Sequence, residues 1–151
     1  MKLIAAIATG VLAMTSTAEA APARAAVEHF PAPPINGAPA PFSSAVRVGD
    51  VLYLSGAIGR PDGKLPEGIE AQTKATMEDI GATLKRAGLR FDDLFHCTAF
   101  LSDMKNWPAF NKVYVSYFPN GKLPARSAFG VNGLALGALL ELECQAYAGK
   151  K

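Results

Sequence analysis

Two residues in the last third of the chain, Arg126 and Glu141, have the types that chemistry on a small organic acid requires. Arg126 lies in LPARSAFG, residues 123–130, among small and apolar neighbours that read as the start of a buried strand. A guanidinium is costly there unless something pairs with it. Its planar fork matches a carboxylate bidentately and never loses its charge, so a small organic acid is the natural ligand. Glu141 lies in LLELECQAYA, and a carboxylate held near such a ligand can take and return a proton through water. The same two residues could instead form a structural ion pair across a hairpin of the last two strands. Ser55 stands at a strand end before Gly56, where a hydroxyl reaches a ligand or simply terminates the strand. SGAIG is not a nucleophile elbow and no base for Ser55 is recognisable, which disfavours a serine hydrolase. Asn111 falls on a helix near an aromatic stripe, either facing the site or facing solvent. Gly130, Gly133 and Gly137 form no phosphate loop, because no Lys-Ser/Thr or helix start follows them. Cys97, Cys144, His29 and His96 have no metal-binding spacing, so no metal is expected. The two cysteines read either as one bridge in an oxidising compartment or as two small core residues.

These residues need a scaffold, and 151 residues allow one domain. Val46 and its neighbours in residues 45–48, and the run 51–54, are β-type segments joined by Gly49-Asp50 as a tight hairpin. Pro61-Asp62-Gly63 is a turn. Ile69, Thr73, Met77, Ile80, Leu84 and Ala87 recur at steps of four and three, which predicts a helix over about 68–87. Glu67 and Glu70 favour its start, Lys85 and Arg86 its end, and Gly88 stops it. FHCTAFL, residues 95–101, reads as a buried strand. Asn106 is expected to cap a second helix, with Pro108 in its first turn and Trp107, Phe110, Tyr114 and Tyr117 on one side. Two last strands, 126–131 and 139–148, complete an α+β arrangement with two helices against one mixed sheet. The final strand alternates Leu140, Leu142, Cys144 and Ala146 with Glu141, Glu143, Gln145 and Tyr147. One layer of helices covers one sheet face, and an apolar second face would have to meet another subunit.

Lys plus Arg number 15 against 13 for Asp plus Glu, a balance without the basic face of a nucleic-acid platform. Residues 1–20 combine Lys2, an apolar run from Leu3 to Met14 and the ending Ala18-Glu19-Ala20. This is the pattern of a secretory signal peptide, cleaved near Ala20, and the run is too short for a stable membrane anchor. Export to the periplasm or beyond is therefore expected. Residues 21–41 are rich in Ala and Pro and read as an extended leader without helix. The domain proper is expected over residues 42–151.

The ordered set VGDVLYLSGAIG, a helix ending in KRAGL, DDLFHCTAFLSDMKNWPAFNKVYVSYF, LPARSAFGV and LLELECQAYA resembles the RidA/YjgF family of imine and enamine deaminases. The resemblance spans residues 42–148 and implies a chorismate-mutase-like fold assembled as a homotrimer, with the sheets facing inward and the sites between subunits. It further implies that Arg126 clamps the carboxylate of a 2-imino acid or of its enamine tautomer, such as 2-aminoacrylate. Glu141 would activate the attacking water, and Ser55 and Asn111 would line the pocket. Two family positions differ here. Phe42, in APF, stands where the family has a tyrosine, and Ala128 stands where it has a cysteine two residues after the arginine. Under the family's strand order, Cys97 and Cys144 lie on neighbouring strands. The rival readings are a non-catalytic trimer that binds small carboxylates, and a chaperone-like or ribonuclease role.

Overall fold

The computed structural model describes residues 24–35 and 37–150. The expected signal peptide, residues 1–20, lies outside the described residues. The chain forms six strands and two principal helices: β1 (Val27–Pro31), β2 (Ser43–Val48), β3 (Val51–Leu54), α1 (Ile69–Arg86), β4 (Leu94–Leu101), α2 (Trp107–Val115), β5 (Ala125–Gly130) and β6 (Leu140–Tyr147). The strands make one mixed sheet in the order β1-β2-β3-β6-β4-β5, with the two helices packed on one face.

Local chemistry accounts for most of these elements. Val48 and Val51 pair across a two-residue turn in which Gly49 has φ 57, a conformation that suits glycine. Helix α1 buries Thr73, Met77, Ile80 and Leu84, and Gly88 ends it at φ 74. Gln72 ties this helix to the sheet by accepting from the Leu139 backbone at 2.8 Å, just before β6 begins. In β6, Leu140, Leu142, Cys144 and Ala146 are buried against the helices, while the alternate residues face away. Core positions on β4 and β6 meet in register: Cys97 opposite Cys144, Ala99 opposite Leu142 and Leu101 opposite Leu140. The cysteines are joined by a disulfide.

Four sequence expectations are corrected. The leader is more than an extended lead-in, because its residues Val27–Pro31 pair antiparallel with β2 and add a sixth strand. The prolines do not prevent this, since β1 is an edge strand and Pro31 falls where the register shifts. Secondly, β5 and β6 do not pair. The connection β4–α2–β5 is a parallel crossover, and β4 lies between the last two strands. Thirdly, Asn106 is itself helical and makes no capping hydrogen bond. Asp103 caps the short turn before α2, its carboxylate accepting from the Lys105 backbone at 2.9 Å. Lastly, Trp107 stands exposed at the start of α2, while Phe110 and Tyr114 alone of that stripe are fully buried.

The sheet face opposite the helices is uncovered. It displays Tyr53, Tyr147 and Phe129, each about half exposed at 47%, 49% and 53%, with Phe129 stacked on Phe100 of the neighbouring strand.

Candidate active site

The six residues singled out from the sequence fall into two groups, one around Arg126 and one around Glu141, and these two side chains point to opposite faces of the sheet. The first group sits at the β5 edge on the helix side. Arg126 is in register with Cys97, whose side chain is in the core, so the arginine projects toward α2. Its guanidinium carbon lies 4.5 Å from the centre of the Tyr114 ring and 5.0 Å from that of Phe110. Both distances are within cation–π range. Asn111, one residue beyond Phe110 on the same helix, accepts from Arg126 Nη2 at 2.6 Å. Ala128, two residues on, shares the Arg126 face and packs against the core.

Two rings and one amide thus fix the orientation of the guanidinium while using one of its five N–H donors. Among the described residues the ion pairs are Arg47–Glu28, Lys74–Glu78 and Lys112–Glu70, and Arg126 belongs to none of them. The structural pairing of Arg126 with Glu141 is therefore absent. Tyr114 also bears on the electrostatics. Its buried hydroxyl has no hydrogen-bond partner, and desolvation pushes its pKa up to about 12 against the opposing pull of Arg126. The ring stays neutral, so the positive charge beneath it is not cancelled.

The second group is centred on Glu141. This residue is opposite Phe100 in the β4–β6 ladder and, by alternation with buried Leu140 and Leu142, faces the uncovered side. Its carboxylate rests directly on the backbone of Gly56: a Cβ added there would lie 2.0 Å from Oε1. Ala57 and Leu142 exchange backbone hydrogen bonds of 2.9 and 3.1 Å, which clamp the 55–57 segment beside Glu141. Ser55 donates its hydroxyl to the Ser43 carbonyl at 2.7 Å and so locks the same segment to β2. Phe42, 52% exposed, stands near Ser55 and Gly56 on the rim of a cleft of about 500 Å³. That cleft opens on the helix side, beneath the leader and against α1. Neither Arg126 nor Glu141 lines it, and the Ser55–Gly56 backbone is its boundary toward Glu141.

Three contributors were missed in the sequence reading. Gly56 makes room for a carboxylate 85 positions away, a requirement with no local signature. Phe110 and Tyr114 read only as part of an aromatic stripe, although the spacing of Phe110, Asn111 and Tyr114 on one helix could have suggested a platform with a polar hook.

The family model described as Endoribonuclease L-PSP matches residues 32–148. The mouse 2-iminobutanoate/2-iminopropanoate deaminase is 37% identical over 112 residues, covering 72% of this chain and 82% of the relative. The chloroplastic Reactive Intermediate Deaminase A of Arabidopsis thaliana is 35% identical over 107 residues, 69% of this chain and 57% of that protein. A solved structure of a Rid-family protein from Yersinia pestis, 34% identical, superposes with a TM-score of 0.75 over 81% of this chain and 99% of its own. On fold, family match and identity together, the chain belongs to the L-PSP family, the RidA/YjgF proteins.

Proposed function

We propose that the protein hydrolyses small 2-imino acids, and their 2-enamino tautomers such as 2-aminoacrylate, to 2-oxo acids and ammonia. The observation that carries this reading is the unpaired, ring-stacked guanidinium of Arg126, oriented by Asn111 and open to a carboxylate. Names of relatives that are imine deaminases support it.

Because Arg126 and Glu141 face opposite sides of one sheet, a site with both is closed by two copies of the chain. The β5 edge of one subunit then meets the uncovered face of its neighbour. A ring of three such contacts leaves no face unsatisfied and buries Tyr53, Tyr147 and Phe129. In that site Arg126 binds the substrate carboxylate through two parallel N–H···O bonds. The Glu141 carboxylate accepts a proton from a water molecule as its oxygen attacks the imine carbon. The carbon–nitrogen double bond of the protonated imine becomes single, giving a tetrahedral aminoalcohol. Glu141 then passes its proton to nitrogen and takes the hydroxyl proton as the carbon–nitrogen bond breaks, so the carbonyl forms and ammonia leaves. An enamine enters the same route once its β-carbon is protonated. Ser55 stiffens the Gly56 seat, and Phe42 and Ala128 shape the pocket, with neither a phenol nor a thiol available to the chemistry. No cofactor is invoked. The signal-peptide pattern of residues 1–20 supports a reaction outside the cytoplasm, in the periplasm or beyond.

The family description speaks of an endoribonuclease. The near-balance of 15 to 13 carries no signal for RNA binding, and Arg126 lies against two aromatic rings. The test is to generate 2-iminopropanoate in situ from alanine with an amino-acid oxidase and follow its decay. Wild type should accelerate decay, while Arg126→Ala loses about 100-fold or more in kcat/KM, as expected for two charge-assisted hydrogen bonds. Decay no faster than buffer, with retained binding of 2-oxo acids, would instead identify a carboxylate-binding protein.

A further inference from the structure

The cleft beneath the leader holds charged groups that the imine chemistry does not use. The leader residues Pro33, Pro34 and Ile35 form one wall, Ile58 belongs to another, and Arg60 and Asp79 also line it. Its roughly 500 Å³ falls within the range of small-molecule sites. Arg60 is half-buried, and its guanidinium makes no hydrogen bond or ion pair among the described residues.

Asp79 likewise has no ion-pair partner, although the two residues are close enough to influence one another. Asp79 is exposed at the cleft, partial desolvation there raises its pKa, and Arg86 and Arg60 pull it back down. The other charges around the cleft are committed. Glu78 is paired with Lys74 at 3.3 Å, and Arg86 donates to the Pro31 carbonyl at 3.0 Å. One guanidinium and one carboxylate therefore line the same cleft, coupled but unbridged, beside an apolar wall.

We propose that this cleft is a second binding site, separate from the Arg126–Glu141 chemistry, for a free α-amino acid with an apolar side chain. Arg60 takes the ligand carboxylate, Asp79 its ammonium, and Pro34, Ile35 and Ile58 receive the side chain. Sign and polarity together select this class. A simple anion on Arg60 would be repelled by Asp79, and a simple amine on Asp79 would be repelled by Arg60 and Arg86. A zwitterion satisfies both, and the leader wall favours an apolar substituent over a polar one. The site takes the amino acid as it stands, so its occupancy does not depend on deamination.

Isothermal titration of the full chain with L-leucine tests the assignment, alongside 4-methylpentanoate, which lacks the ammonium, and 3-methylbutylamine, which lacks the carboxylate. Leucine should bind, and each analogue should bind about tenfold more weakly or worse. Arg60→Met and Asp79→Asn should each weaken leucine by a similar factor, and Ile35→Trp, which fills the cleft, should do so without altering either charge. Binding should persist in Arg126→Ala. Absence of leucine binding, equal binding of either analogue, or loss in Arg126→Ala with retention in Arg60→Met would each overturn the proposal. The last result would place the ligand at Arg126 instead.

Discussion

Replacing Gly56 by alanine separates the seat of Glu141 from the stability of the fold. Gly56 is not among the glycines with positive φ, so the backbone there accepts an L-residue without strain. Space is what the glycine supplies. An added Cβ would stand 2.0 Å from Glu141 Oε1, 2.9 Å from Cδ and 3.2 Å from Cγ. Restoring ordinary contact at about 3.4 Å moves the oxygen by about 1.4 Å, and a displacement of about 1 Å in a catalytic group can cost about 100-fold in rate. The atoms displaced belong to the end of a flexible side chain, so the fold can absorb them. Loss of glycine's freedom in the unfolded chain offsets part of the cost, by about 0.4–1 kcal/mol. The expected outcome is a kcat about 100-fold lower in the imine-decay assay, with KM and the melting temperature little changed. In the Glu141→Gln background, Gly56→Ala should cost almost nothing further, since both act through one carboxylate. A Gly56→Ala protein with wild-type kcat would refute the reasoning, and so would full additivity in the double variant.

Two further outcomes concern stability. The Cys97–Cys144 disulfide closes a 47-residue separation, for which loop-closure entropy gives about 4 kcal/mol. The Cys97→Ala/Cys144→Ala protein should therefore unfold at clearly lower denaturant than the oxidised wild type, and reductant should shift only the latter. Tyr114→Phe removes a buried hydroxyl without a partner while keeping the ring under Arg126. Denaturant unfolding should show stability unchanged or raised by about 1 kcal/mol, and a marked loss would mean that the hydroxyl is satisfied in the working protein.

The sequence disclosed what short-range periodicity encodes. The steps of four and three in Thr73, Met77, Ile80 and Leu84 and the alternation of β6 are direct consequences of backbone geometry, and the structure follows both. Arg126 stood out because a charge among apolar residues demands an explanation. What escaped depends on residues far apart in the chain. The strand in the leader forms only because β2 offers an edge, and five prolines between residues 31 and 41 conceal it. The separation of β5 from β6 follows from the crossover through α2, which leaves no mark in either strand. Asn106 looked like a cap because the preceding turn runs straight into the helix, which shifts the capping role to Asp103. The division of Arg126 and Glu141 between two faces emerges only once Cys97 and Phe100 fix the register on either side of β4.

That division makes the central claim testable without a new structure. Arg126→Ala and Glu141→Gln proteins, each inactive alone, are unfolded together in equal amounts, refolded and assayed for 2-iminopropanoate decay. If each site takes Arg126 from one copy and Glu141 from the next, random ring assembly rebuilds about one intact site in four, and about a quarter of wild-type activity returns. A mixture that stays as inactive as its parents, despite mixed assembly confirmed by native mass spectrometry, would contradict a site shared between subunits.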